Sequence, residues 1–469
     1  MFIIKVKFTD ITSDNFLRCD EKYHKIGSTC GYNIFNIPKK DQILLSDVLK
    51  EDYLKFDYES NHEYKGIPTG QTYIDEDGDI IDYLTVTSND HPNRLKYAMD
   101  NEHILLSSLR LAKSPALMFE DIDLTDYVFS NGFYSLIVNS AWNRRYVLYL
   151  LRTKRIRNVI DSNIYRGIGI SSFKLKDLLK IPIRNISREL QDDVVSRIKS
   201  IEEKIAKLKI SKIPIQDSID SIFQRIFAFD YCKFEKLKSI KHYKVKETLF
   251  SDNPDLRFSV KFHRPAGDFV MKQLSGFADK KIKNYLAEPI VLGASISPKD
   301  YDENGKAYYI SMATIKTLEV VLDDTQLVSD AYFESNRAKS VQKDDIILAR
   351  SGVAIGKTAI VTSDFNGIFA DFTMRIRFDK NKYNPQFAYY YLRSKYFQYL
   401  IEIYKKGLQN QNIFPIVIQE FPIPNISLCK QQCIVDEIQA EMKKQNEIKN
   451  EIVHLRSQID DIIIKSISA

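Results

Sequence analysis

Apolar residues fall at two periods along this chain, and the changes of period divide it. Near the C-terminus Ile448, Ile452, Leu455, Ile459 and Ile462 are spaced four, three, four and three, with Glu441, Lys443, Lys444, Glu447 and Lys449 alongside. That is a heptad seam on a long helix. Midway, Ile198, Ile201, Ile205 and Leu208 keep the same spacing, and Ile215, Ile219, Ile222 and Ile226 resume it. Lys212 takes the intervening seam position, and Pro214 interrupts the helix just after it. Ser187 and Ser427 each follow a proline-containing strand end and precede these patterns, as N-caps do. The spacing therefore predicts long helices over 187–227 and 427–464. Neither can bury its stripe alone, so the two are expected to pair as an intramolecular coiled coil. The alternative is that each packs on its own domain.

Between these helices the period shortens. Ile104-Leu105-Leu106, Phe133 to Val138, Asp345 to Leu348, Ala359 to Val361 and Met374 to Phe378 read as strands. Asp77-Gly78, Asn131-Gly132 and Asn304-Gly305 read as turns. Val147, Leu150, Leu151 and Ile156 mark a helix over 142–160, and 386–403 reads as its equivalent.

The order of elements repeats. Leu17-Arg18 through His24-Lys25 returns as Leu256-Arg257 through His263-Arg264, 239 residues later. Leu151-Arg152-Thr153-Lys154 returns as Leu392-Arg393-Ser394-Lys395 after 241. Ile181-Pro182-Ile183 with Asn185-Ile186-Ser187 returns as Phe421-Pro422-Ile423 with Asn425-Ile426-Ser427 after 240, and Gln191 and Gln431 keep that register. A period this long exceeds any solenoid unit. It predicts two copies of a whole domain, each followed by a long helix: 1–185, 187–235, 236–425 and 427–469. The fold class expected is α+β: two homologous mixed domains separated by two long antiparallel helices, with pseudo-twofold symmetry.

Composition narrows the chemistry. The 469 residues allow two to four domains, and 44% hydrophobic with 28% charged residues is ordinary for a soluble protein. A net charge of +6 permits nucleic-acid binding without establishing it. The five cysteines, Cys19, Cys30, Cys232, Cys429 and Cys433, form no C-x-x-C pair and have no histidine at metal spacing. No metal site is expected. Cys429 and Cys433, four apart on a helix, are expected to be small buried residues. A reduced, cytoplasmic chain is expected, since no apolar run reaches signal-peptide or membrane-span length.

Catalytic patterns are missing from the sequence. Ser351-Gly352-Val353-Ala354-Ile355-Gly356-Lys357-Thr358 approaches a phosphate-binding loop, but serine stands where the first glycine must wrap the phosphates. The strand-like Ala359-Ile360-Val361 follows where a helix N-terminus is required. A strand-turn-strand unit with basic residues at its tip is the better reading. Asn384-Pro385-Gln386-Phe387 lacks the second proline of an amino-methyltransferase motif, and no nuclease, serine-elbow or zinc-protease pattern occurs. No catalytic residue and no cofactor-binding residue is assigned.

Basic and amide residues cluster where loops and exposed helix faces are expected. In the first half these are Arg110, Lys113, Arg144, Arg145, Arg152, Lys154, Arg155, Arg157 and Arg166, with Ser171 and Ser172 closing a glycine-rich stretch. In the second they are Arg350, Ser351, Lys357, Arg375, Arg377, Arg393, Lys395, Lys405 and Lys406. Gln409, Asn410, Gln411 and Asn412 follow Gly407-Leu408, and amides can pair bidentately with an adenine edge. The candidate DNA-binding set is Arg110, Lys113, Arg144, Arg145, Arg166, Ser171, Ser172, Arg350, Ser351, Lys357, Lys405, Lys406, Gln409, Asn410, Gln411 and Asn412.

With these motifs in this order, the chain resembles the specificity subunit of type I restriction-modification systems. The resemblance is carried by Arg18 to His24 and its repeat Arg257 to His263, and by Asp344 to Gly352 with Gly356-Lys357. It continues through Gly407 to Asn412, Phe421-Pro422-Ile423-Pro424, and Gln431 to Val435 entering the helix. The first half departs from the pattern, with Leu106-Ser107-Ser108-Leu109-Arg110 in place of Ala-Arg-Ser-Gly. The resemblance implies a non-catalytic subunit that reads a bipartite double-stranded DNA target, one half per recognition domain. A helix of about 35 residues, roughly 50 Å long, would act as the ruler, spanning about one and a half DNA turns at ~34 Å each. Its implied partners are two methyltransferase subunits, which hold S-adenosylmethionine, and a restriction translocase. The alternatives are a protein scaffold, or the specificity subunit of another methyltransferase-based phage-defence system.

Overall fold

The computed structural model describes residues 33–109, 116–162, 173–251, 259–315, 318–323, 325–407 and 411–468. The chain forms two compact units, one of residues up to 211 with those from 449 onward, the other of 212–448. The opening motif at Arg18 to His24 lies outside the described residues, as do Cys19, Cys30, Arg257 and Phe258.

In the first unit β1 (Gln42–Leu44) pairs with β10 (Pro182–Arg184). β2 (Leu49–Glu51), β9 (Phe133–Val138) and β7 (His103–Ser107) form an antiparallel sheet in the order β2-β9-β7. The second sheet is β3 (Leu54–Lys55), β6 (Leu95–Ala98), β8 (Tyr127–Ser130), β4 (Tyr64–Ile67) and β5 (Leu84–Val86), with β4 and β8 parallel. β7 is buried along its length, which is why Ile104-Leu105-Leu106 reads as a continuous apolar run rather than an alternation.

The second unit repeats this plan. β11 (Val291–Leu292), β17 (Thr373–Ile376), β14 (Ile346–Ala349) and β15 (Thr358–Ile360) form one sheet. β13 (Leu327–Val328), β12 (Ala307–Ile310) and β16 (Gly367–Phe369) form the other, again with one parallel pair, β12 and β16. The strands β4, β7, β8 and β9 thus recur as β12, β14, β16 and β17, with the antiparallel β7–β9 and parallel β4–β8 pairings kept.

Helices follow each β region. α1 (Arg144–Arg152) and α2 (Lys154–Ser162) stand where one helix over 142–160 was expected. α5 (Pro385–Arg393) and α6 (Lys395–Tyr404) replace the expected 386–403 helix. Both breaks fall at the same repeat position. Thr153 turns to ψ 145° and donates its hydroxyl to Leu150 O at 2.8 Å, while Ser394 caps α6 by accepting from Phe397 N. A buried hydroxyl that bonds the neighbouring backbone competes with the helix ladder and restarts the chain at a new angle.

The long helical segments are α3 (Arg188–Ser211), α4 (Ile215–Phe227) and α7 (Leu428–Ser468). Ser187 and Ser427 accept from the backbone N–H groups of Leu190 and Lys430, each at 3.3 Å, so both N-caps form. Lys212 to Pro214 separates α3 from α4, as the proline requires. Cys429 and Cys433 are exposed, contrary to expectation. The buried face of this part of α7 is carried by Gln431, Ile434, Val435 and Ile438, leaving both cysteines on the opposite side.

Each unit closes its own helix pairing. In the first, Ile198 of α3 shares a core with Ile463 and Ile467 of α7 and with Tyr146, Val147 and Leu150 of α1. In the second, Ile219 and Phe223 of α4 share a core with Ile434 and Ile438 of α7, and Phe223 packs against Phe387 at 5.8 Å between ring centroids. Lys209 and Arg456 meet on Asp77. Ile213 and Arg225 of the second unit bond Gln445 and Glu437. Numbers rise on one helix as they fall on the other, so the pairing within each unit is antiparallel. The helices therefore pair with each other and pack on their own domain. Every fully buried isoleucine or phenylalanine in these seams contributes about 1.5–3 kcal/mol.

Candidate nucleic-acid interface

The repeat is written most sharply in a pair of buried glutamines. Gln191 Oε1 accepts from Asn143 N at 2.6 Å, and its Nε2 donates to Ile186 O at 3.0 Å. Gln431 does the same with Asn384 N at 2.7 Å and Ile426 O at 2.8 Å. Asn143 and Asn384 in turn cap α1 and α5 with their side chains. One amide thus ties the start of each long helix to the start of its domain's helical hairpin. A second device is also doubled. Asp460 accepts from Lys154 N at 2.9 Å, and Asp220 accepts from Lys395 N at 2.7 Å. Burial raises the Asp220 carboxyl above its ordinary range.

On this frame the second unit carries a hairpin whose tip is the Arg350–Lys357 segment. The strand-turn-strand reading of the glycine-lysine stretch holds: β14 and β15 pair antiparallel, and a short 3-10 turn at Gly352–Ala354 joins them. Gly352 and Gly356 sit at φ 73° and 87°, the left-handed region that glycine adopts without strain. A Cβ on Gly356 would also lie 2.7 Å from Gln398 Oε1. Gln398 holds this tip from below, donating Nε2 to Gly356 O at 3.0 Å.

The amide-rich loop joins the same tip. Lys406 and Asn412 exchange backbone hydrogen bonds of 2.7 Å in both directions. Ile413 N donates to Arg350 O at 2.9 Å, and Ser351 bridges Asn412. The structure therefore brings Arg350, Ser351, Lys406, Gln411 and Asn412 together. Gln409 and Asn410 lie outside the described residues. Lys357 and Lys405 line one cleft of about 700 Å3 with Arg393, Lys395, Gln398 and Asp220. Lys357 is exposed.

In the first unit the corresponding loops hold Arg110, Lys113, Arg166, Ser171 and Ser172, all outside the described residues. Arg144 and Arg145 are engaged elsewhere. Arg144 pairs with Glu102 at 2.9 Å. Arg145 binds Glu120 through two nitrogens, at 2.8 and 2.5 Å, and reaches Glu202 of α3 at 3.3 Å. These two arginines are joined to carboxylates of their own unit.

Two more basic residues change role. Arg375 and Arg377, grouped above with exposed cations, sit on the buried strand β17 and its end. Arg375 is 4% exposed and pairs with Glu288. Arg377 binds the fully buried Asp345 through Nε and Nη2, both at 2.7 Å. The hydrogen-bonded Asp345 carboxylate lifts the Arg377 guanidinium above its usual range despite burial. An alternating strand pattern cannot distinguish an exposed arginine from one whose acid partner is far away in sequence.

The first unit has an unforeseen electrostatic clasp. The Asp75–Asp79 turn receives Lys209 of α3 on Asp75, Asp77 and Asp79 at 2.5–2.8 Å, and Arg456 of α7 on Asp77 at 2.7 Å and on Glu76. Gly78, at φ 90°, passes so close to Arg152 that a Cβ would lie 2.5 Å from its Nη2. The turn was legible in Asp77-Gly78; its partners were not.

Residues 289–454 match the family model of the type I restriction modification DNA specificity domain. No curated protein sequence matches the chain. Among solved structures, one from a study of complex assembly and conformational transition of the type I R-M system aligns with 91% of this chain and 97% of its own, at 12% identity and a TM-score of 0.50. The HsdS subunit of Thermoanaerobacter tengcongensis aligns with 91% and 96% at 13% identity and a TM-score of 0.35. The type I S subunit of M. genitalium aligns with 91% and 95% at 13% identity and a TM-score of 0.39. Residues 289–454 thus match the type I restriction modification DNA specificity domain, and the solved structure aligned at a TM-score of 0.50 shares the fold of the chain.

Proposed function

We propose that this chain is a non-catalytic subunit that reads a bipartite DNA target, one half-site per unit, and that its helices dock the enzymes acting there. The observation that carries this reading is the doubled frame with unlike tips. The glutamine clamp, the aspartate pin and the helical hairpin recur at offsets of 240 or 241 residues. The loops they support differ: Gly407 to Asn412 in one half, Arg166 to Ser172 in the other. Two copies of one frame with different polar side chains suit two different half-sites. Arginines and lysines at the tip, such as Lys357 and Lys405, would position the duplex through phosphates, while Arg350, Ser351, Gln411 and Asn412 would face base edges.

The partners are two methyltransferase subunits, which would bind S-adenosylmethionine, and a restriction translocase, all in the cytoplasm. No helix among the described residues is long and apolar enough to cross a membrane. The test is co-expression with the partner methyltransferase and single-molecule sequencing of host DNA for methyladenine. One bipartite motif, methylated only when this chain is present, is expected. A stable complex that methylates no motif would overturn the reading in favour of a scaffold.

A further inference from the structure

We propose that Asp371-Phe372, with the polar cleft beside them, read a base that presents an exocyclic amino group in the major groove, and that Asn131-Gly132 hold the equivalent reading position in the first unit. The proposal rests on the DNA-recognition function above. Asp371 and Phe372 lie in the turn between β16 and β17. Arg350 N donates to Phe372 O at 3.0 Å, and Arg350 Nε donates to Asp371 O at 2.9 Å, so the turn is fixed to the basic tip. In the first unit Asn131 and Gly132 occupy the turn between β8 and β9, 240 residues earlier. There Ser108 N and Ser108 Oγ both donate to Gly132 O at 2.8 Å. The backbone anchor is the same; the side chains are not. A Cβ at Gly132 would meet Thr69 Cγ2 at 3.0 Å, a tight approach from which the threonine side chain would have to give way.

The cleft chemistry selects the ligand. It measures about 460 Å3, and its lining includes Ser295, Ser311, Asp323, Gln326, Asp371 and Phe372. No lysine or arginine is among its described lining residues. A phosphate would meet the carboxylates of Asp323 and Asp371, while the neighbouring Arg350 guanidinium is already engaged on the Asp371 carbonyl. A base edge fits better. Asp371 Oδ2 accepts from Ser295 Oγ at 2.8 Å, and a carboxylate has lone pairs for several donors. Asp323 is exposed and makes no ion pair among the described residues. Acceptor-only groups favour the amino groups of adenine and cytosine and disfavour the O6 of guanine and O4 of thymine. Asn131, which both donates and accepts, gives the first unit a different preference on the same frame.

The experiment uses the full chain in complex with its methyltransferase partner and reads the methylated motif for wild type, Asp371→Asn, Asp323→Asn and Asn131→Asp. Asp371→Asn retains an oxygen to accept from Ser295, and Asp323 is exposed, so both variants keep the fold. In wild type, one position of the half-site read by the second unit should be fully specified. In Asp371→Asn, discrimination there should fall by about tenfold or more, with the other half-site unchanged. Asn131→Asp should alter only that other half-site. Motifs identical to wild type at every position in both Asp371→Asn and Asn131→Asp would overturn the proposal. A wild-type chain that directs no motif at all would refute the DNA-recognition function itself.

Discussion

Replacing Gln431 by methionine removes the amide while keeping the side chain's length. In the wild-type structure this side chain is fully buried and satisfies Asn384 N–H and Ile426 C=O at once. Methionine leaves both backbone groups without a partner in a place water does not reach. Each orphaned group costs about 1–3 kcal/mol, and packing retained by the isosteric stem limits further loss, so about 2–4 kcal/mol is expected. Because the chain has two units, a single unfolding curve need not be two-state. Peptide-resolved hydrogen exchange separates them. Exchange over 384–393 and 427–435 should quicken by roughly 30- to 1,000-fold, at 1.36 kcal/mol per tenfold. Peptides of the first unit should be unaffected. Gln191→Met should give the mirror result, loosening 143–152 and 187–195 by a similar factor. A change of less than threefold in either variant would refute the claim that these glutamines fasten helix to domain.

Other outcomes follow from the same contacts. Arg377→Ala strands the fully buried Asp345 carboxylate and should destabilise the second unit by about 3–5 kcal/mol, read by the same exchange experiment. Burial alone would raise the Asp77 carboxyl, but hydrogen bonds from Arg456 and Lys209 outweigh it and hold it below the ordinary carboxylate range. A depressed folded pKa gives stability that is complete above the unfolded carboxylate range and lost as pH falls through the folded value. Melting of the first unit should therefore show an acid-side loss that Asp77→Asn flattens, measured across an acid pH series. Lys357→Ala and Lys405→Ala should weaken DNA binding of the assembled complex alike on target and non-target duplexes. Each should also reduce the slope of log affinity against log salt by about 0.9; an unchanged slope would remove that lysine from the phosphate contacts.

The parts of the fold legible in the sequence were those set by local period. Ile198, Ile201 and Ile205 announced a buried helix face, Pro214 its interruption, and Ser187 and Ser427 its starts, because spacing and capping act within a few residues. The repeat was legible as well, since Gln191 and Gln431 stand at the same offset as the segments around them, although their clamp required coordinates. What stayed hidden depends on distant partners. Arg375 looks like an exposed strand cation until Glu288, 87 residues away, is placed beside it. The Thr153 and Ser394 breaks are hidden inside an apolar pattern that continues across them. Cys429 and Cys433 share one helix face, and period alone did not say it was the outer one. At the candidate site, Arg350, Ser351 and Asn412 were found through basic and amide residues. Asp371, proposed above to face a base, was passed over because a carboxylate does not advertise DNA contact. The match of Asn131-Gly132 to Asp371-Phe372 at offset 240 was the signal that could have found it.

The central claim is that each unit reads one half of a split target. Exchanging residues 1–185 for the recognition domain of a related chain, then sequencing the methylated motif made with the same methyltransferase, tests it most directly. One half-site should change to that of the donor, while the other half-site and the spacer stay as they were. A motif altered in both halves, or in neither, would contradict it.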